Sequence, residues 1–345
     1  MPAVRRQGRA IFGRSSLWNN VFAGKEKDGG MKGTRTTRLL MIAFLLLAGS
    51  LIWTGCGGSA EKPTVAIQGT IVFASGHKGS EKTGAYSDIY LLDAQGARLL
   101  ADHAGINWAN PVWSPDGTQI AYITDEHQLA VINRDGSGGA YLTPKVSDGS
   151  LWPGYPEWLP DGNISFKAAG KIAVLRPDGS GVRVLTPHNP RLKAGFDGSY
   201  AWSPDGTKIV FDGSELGLDP EVFLFDPQSG ESRTLLMPPR PFYAFDWSPD
   251  GTMIVAGDWT HAQEGVDDSL HDLFVVGENG QGLQALNQPG KESNPAWSPD
   301  GRMIVYEAFI ENSKGSSGGL WVMNADGSGA QQLLSFGGQP DWTTR

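Results

Sequence analysis

Chemistry-bearing side chains concentrate in one stretch of this sequence. Residues 257–272 hold Asp258, His261, Glu264, Asp267, Asp268, His271 and Asp272. Carboxylates mixed with imidazoles are ligands for a divalent cation, and the excess of oxygen favours calcium. Their spacing matches no metal template, and the simpler expectation is a solvated acidic loop. A second candidate is Gly315-Ser316-Ser317-Gly318-Gly319, which has the spacing of a nucleophile elbow. That elbow needs a strand before it and a helix after it. A strand-like run, residues 320–323, follows instead, so a flexible hairpin loop is expected. Three Asp-Gly-Ser-Gly stretches (135–138, 178–181, 326–329) have no helix behind them to cradle a phosphate and are expected to be turns. The histidines (His77, His103, His127, His188, His261, His271) share no motif. Cys56 is the only cysteine, which excludes a disulfide framework and a multi-cysteine metal site.

The elements that would position these residues form a repeat. Trp-Ser-Pro-Asp-Gly begins at Trp113, Trp202, Trp247 and Trp297, with Trp-Leu-Pro-Asp-Gly at Trp158 and a truncated copy ending at Trp342. The intervals are 45, 44, 45, 50 and 45 residues. Ser-Pro-Asp-Gly is a tight turn: Pro presets φ, Asp suits the next position and Gly accepts positive φ. An apolar run follows each turn, as at 209–211 and 253–256. A second follows that, as at 129–132, 172–175, 222–225, 273–276 and 320–323. These runs do not alternate polar with apolar, so both faces of the sheet are expected to be buried. A last, more polar strand suits an exposed edge. The unit is four antiparallel strands in about 45 residues, the length of a propeller blade.

These repeats resemble the WD40-like PD40 repeats of the TolB-type six-bladed propeller, over about residues 67–345. The all-β fold this implies has five complete blades and one shared between the termini, with residues 338–342 supplying its first strand. Relatives with this propeller that act as peptidases carry a separate α/β-hydrolase domain, for which the sequence has no room after Trp342. Nor is there room between Cys56 and the first strand for the N-terminal α/β domain of TolB itself. The propeller alone is expected.

The leader is of different composition. Nine of the 28 basic residues and two of the 37 acidic ones fall in residues 1–55, leaving 19 and 35 in the rest, a net of −16. That balance argues against nucleic acid as a partner. Lys32, Arg35 and Arg38 precede an uncharged apolar run, 39–55, and small residues surround Cys56. This is a secretory signal pattern. It resembles the bacterial lipobox, which implies a diacylglyceryl thioether on Cys56 and a mature chain starting there. Trp53 stands where the lipobox favours Leu. Residues 1–30 are expected to be an upstream extension with Met31 the true start, 31–55 a signal peptide and 56–66 a tether.

In a propeller the turns after the first and third strands share one face, and here they are short and uniform. The other connections are long and unlike one another, which puts the variation on one side. That side carries Trp108, Trp152, Tyr155, Phe196, Tyr200, Phe242, Tyr243 and Trp259, aromatics suited to a protein or peptide. The expectation is a non-catalytic, lipid-anchored protein of the cell envelope, periplasmic or outer-surface, that recognises a protein, peptide or envelope polymer. The alternative is a metal-dependent hydrolase or lyase at the channel mouth, since some propeller lyases hold a metal there through histidine.

Overall fold

The computed structural model describes residues 65–77, 86–105, 109–124, 126–142, 153–168, 170–185, 198–213, 221–238, 241–258, 271–286, 290–312 and 315–344, with Pro63 and Gln288. The extension, Met31, the signal segment and Cys56 lie outside them. The described residues contain strands and turns but no helix.

Six four-stranded antiparallel sheets form the blades. Blade 1 orders Gly338–Thr343, Thr70–His77, Tyr86–Asp93 and Gly96–Gly105 from its inner edge outward. Blade 2 runs Val112–Trp113, Gln119–Ile123, Leu129–Asn133, Ala140–Leu142. Blade 3 runs Gly154–Trp158, Ile164–Ala168, Lys171–Leu175, Arg183–Leu185. Blade 4 is Tyr200–Trp202, Ile209–Asp212, Val222–Phe225, Ser232–Leu236. Blade 5 is Phe242–Trp247, Met253–Asp258, Leu273–Gly277, Gln284–Ala285. Blade 6 is Lys291–Trp297, Met303–Asn312, Gly315–Asn324, Gln331–Leu334. The first strands touch in a closed cycle, blade 1 to blade 6 and back. Closure is as expected: Thr343 pairs with Thr70 and Trp342 with Ile71. The Trp342 indole N–H donates to the Gln68 carbonyl at 2.8 Å.

The strict two-residue period of a strand explains why the central strands are apolar throughout. In Gln119–Ile123, Ile120 and Tyr122 pack toward blade 1, while Ala121 and Ile123 pack toward blade 3. Each of the six seams between blades has its own apolar cluster. The core is therefore a ring of interfaces, each made by two blades.

The turn face follows the sequence closely. The Ser114, Ser203 and Ser248 hydroxyls each donate to the Asp two residues on at 2.6 Å, and Ser298 does so at 2.7 Å. Each hydroxyl also accepts the backbone N–H five residues on, at 2.9 Å. Gly117, Gly206, Gly251 and Gly301 take φ of 66°, 71°, 72° and 70°. In blade 3 Leu159 replaces the Ser and is buried against blade 4, and Asn163 donates to Asp161 instead.

One expectation is corrected. The 315–319 segment is not a flexible loop but the start of a strand, in register with the preceding one from Asn312↔Gly315 to Glu307↔Leu320. Ile304, Val305, Tyr306, Phe309 and Ile310 favour the extended strand that carries the ladder outward. A strand leads into a strand here, so no nucleophile elbow exists.

Candidate functional site at the channel mouth

The site is built from the first strand of each blade. An innermost strand has a neighbour on one edge only, so its other N–H groups face the axis and need partners. Two positions of the repeat supply them. The first is the residue immediately before the repeat Trp, which around the ring is Asp341, Val112, Glu157, Ala201, Asp246 and Ala296. Acid and apolar residues alternate. The Asp341 carboxylate accepts the Trp113 N–H of blade 2 at 2.6 Å. Glu157 accepts the Trp202 N–H of blade 4 at 3.0 Å, and Asp246 the Trp297 N–H of blade 6 at 2.7 Å. Asp341 and Asp246 also accept the N–H of their own Trp342 and Trp247 at 2.8 Å.

The second position lies three residues before the Trp, toward the loop-rich face. Asn110, Tyr155, Ala244, Asn294 and Gln339 all have positive φ, between 41° and 51°. Only the blade 4 equivalent, Ser199, departs from this set. The ladder slips at this point in blades 1, 3, 5 and 6. A bulge at the rim of a closed sheet re-aims side chains, and non-glycine residues in this region carry strain. Two cross-blade bonds brace it: Asn110 N–H to Gln339 Oε1 at 3.0 Å, and Ala244 N–H to Ser199 Oγ at 2.6 Å.

Tyr155 stands out at this mouth because it is both left-handed and exposed, at 38%. Lys167 holds it from below, with Nζ 5.9 Å from the ring centroid and donating to the Gly198 carbonyl at 2.8 Å. The Tyr155 carbonyl accepts the Tyr200 hydroxyl at 2.9 Å. Opposing blades contribute Glu307, which accepts Asn294 Nδ2 at 2.9 Å and the Gln339 N–H. Burial raises the Glu307 pKa against these bonds. Tyr243 is half-buried nearby; burial first, then Glu307 and Asp258, raise its phenol.

The sequence-named residues divide. Tyr155 and Tyr243 are at the mouth. Tyr200 and Phe242 are instead buried, at 2% and 1%, in the seams of blades 3 and 4 and of blades 4 and 5. Each begins an inner strand, where the preceding blade covers it. Trp108, Trp152, Phe196 and Trp259 lie outside the described residues, as do His261, Glu264, Asp267 and Asp268. Of the acidic insert's ends, Asp258 is fully buried and its Oδ1 accepts the Asp272 N–H at 2.8 Å. His271 Nδ1 lies 3.3 Å from the Asp258 carbonyl oxygen. Among the described residues no three Asp, Glu, His or Cys side chains are placed to hold a metal ion. Sequence reasoning missed Glu292, a fully buried residue whose two carboxyl oxygens have no hydrogen-bond partner among the described residues. Burial, with Asp272 and Asp258 nearby, pushes its pKa up to about 8.

Six four-stranded blades, closed by the C-terminal strand and bulged along their innermost strands, define a six-bladed β-propeller. The TolB beta propeller domain family, PD40, matches residues 70–344, and the chain belongs to it. A TolB homolog from Chlorobium luteolum is 31% identical over 172 residues, 47% of this chain and 35% of its own length. An uncharacterized protein of Agrobacterium fabrum is 26% identical over 187 residues, 52% of this chain and 57% of its own. The crystal structure of TolB from Acinetobacter baumannii has the same fold, with a TM-score of 0.61 at 21% identity over 79% of this chain and 66% of that one. This chain thus spans between about a third and just over half the length of the two sequence relatives.

Proposed function

We propose that this protein is a non-catalytic binding protein of the bacterial cell envelope, tethered to a membrane by lipid on Cys56. Its loop-rich face recognises a protein or peptide at the channel mouth. Tyr155 carries this reading. A bulky aromatic held in the left-handed region and left exposed costs folding energy that an Asn or Gly would not, which is how positions kept for a partner behave. The membership of the TolB propeller family and the leader before Cys56 support the envelope location.

A photo-crosslinking residue at position 155, in cells carrying the full chain, tests the proposal. A control at Thr207, exposed on the turn face, completes it. A discrete adduct from 155 and none from 207 is expected. Equal labelling from both, or none from 155, overturns the mouth as the binding site. Cys56→Ser is expected to move the protein from the membrane to the soluble fraction.

A further inference from the structure

Each member of the carboxylate set at the axis, Glu157, Asp246 and Asp341, comes from a different blade, with an apolar residue at the same position in the blade between. All three take the axis-facing N–H of the next blade's Trp, so each ties two blades at the innermost edge. The charged groups acting on them are carboxylates: Asp246 and Asp341 on Glu157, and Asp341 on Asp246. The neutral Tyr200 phenol also faces Glu157. No cation of the described residues appears among these influences. We propose that Glu157, Asp246 and Asp341 form a proton-operated closure of the ring: when neutral they let the six inner strands draw together, and when charged they push alternate blades apart.

The chemistry runs in this direction because burial wins. Two N–H donors favour each charged Asp, yet the loss of water around these half-buried groups opposes it, joined at Asp246 by the Asp341 charge. Asp246 is pushed up to about 7 and Asp341 to about 6, and Glu157 is raised well above its ordinary range. A carboxyl whose folded pKa exceeds its unfolded one contributes stability that is complete below the unfolded value and is lost as pH rises through the folded value. The closure is therefore tight below about pH 5.5 and loosened by pH 8. Its reach to the outer surface is short. Tyr155, Ala244 and Gln339, all left-handed, stand two residues before Glu157, Asp246 and Asp341. The proposal does not depend on what binds at the mouth.

The test uses the full chain. Carboxyl-carbon NMR shifts of Asp246 and Asp341 in the wild-type protein are followed from pH 4 to 9. Midpoints between 6 and 7 support the device, and midpoints below 5 overturn it. Thermal unfolding of wild type and of the Glu157→Gln/Asp246→Asn/Asp341→Asn triple variant is compared over pH 5.5–8. The wild-type Tm is expected to fall by several degrees with rising pH, and the variant to lose most of that slope. An unchanged slope would assign it to Glu292 and Glu307 and remove the triad as its source. If the triple variant does not fold, Asp246→Asn alone is expected to lose about a third of the slope, and a full wild-type slope in it overturns the proposal.

Discussion

On the turn face, Asp116, Asp205, Asp250 and Asp300 stand in solvent and collect hydrogen bonds from a Ser hydroxyl and the following backbone. Those bonds, the Ser hydroxyl first, hold their pKa values below the ordinary carboxylate range. At the seam between blades 5 and 6 Glu292 is buried, and on the axis Asp246, Asp341 and Glu157 are half-buried; in all four desolvation moves the pKa up. The backbone differs in the same sense. Both faces bend into positive φ, but the turns use Gly and the mouth uses Asn, Tyr, Ala and Gln. One face repeats a single turn solution; the other concentrates charge and strained backbone. The lesson is that a repeat protein can be read blade by blade for stability, and by its exceptions for function.

The largest expected effect is at Glu292. Its pKa of about 8 exceeds the ordinary 4.5, so its contribution is complete below that value and lost as pH rises through 8. Between pH 6 and pH 9 this amounts to about 2–3 kcal/mol. Glu292→Gln removes that pH-dependent part, measured as the difference between wild-type and variant denaturant unfolding at the two pH values. A constant difference would show that Glu292 is already ionised at pH 6. On the turn face the sign reverses. Ser248 is buried, donates to Asp250 and accepts the Met253 N–H. Ser248→Ala strands that N–H and costs about 2 kcal/mol at pH 7. The Asp250 part of this loss fades as pH falls below about 4, because a lowered carboxyl contributes above its unfolded pKa and loses that contribution on protonation.

The repeat made the turn face and the blade count legible in the sequence, because Trp, Ser, Pro, Asp and Gly act locally and a turn needs no distant partner. The closing strand was legible for the same reason: Pro340-Asp341-Trp342 is half a repeat. What the sequence hid was set between blades. Tyr200 and Phe242 looked like surface aromatics because the neighbour that covers each is a different blade. The alternation of Asp341, Glu157 and Asp246 with Val112, Ala201 and Ala296 is visible once the repeats are stacked in columns. Its meaning is not, since nothing local says that the position faces another strand's free N–H. Glu292 carries no signal in sequence at all, because its environment is made by Asp258 and Asp272 of the preceding blade.

The backbone half of the comparison gives the two smallest effects, and they should have opposite signs. Gly251 has φ of 72°, and its hydrogen-bonded turn cannot relax toward negative φ without breaking the Gly251 N–H to Ser248 carbonyl bond of 2.8 Å. Gly251→Ala therefore costs about 1–2 kcal/mol, the penalty of a Cβ in the left-handed region. Ala244 sits at φ of 51° in the inner strand of blade 5, tied by its N–H to Ser199 Oγ. Ala244→Gly removes the same penalty while adding flexibility to the unfolded chain, for a net gain of about 0.5 kcal/mol. Chemical denaturation of both variants at one pH checks the pair. A loss at Ala244→Gly would mean that its methyl makes contacts worth more than the strain, and the mouth would then be ordinary packing in unusual backbone. A gain, with adduct formation at position 155 reduced, would show that the bulge is kept for its shape at the cost of stability.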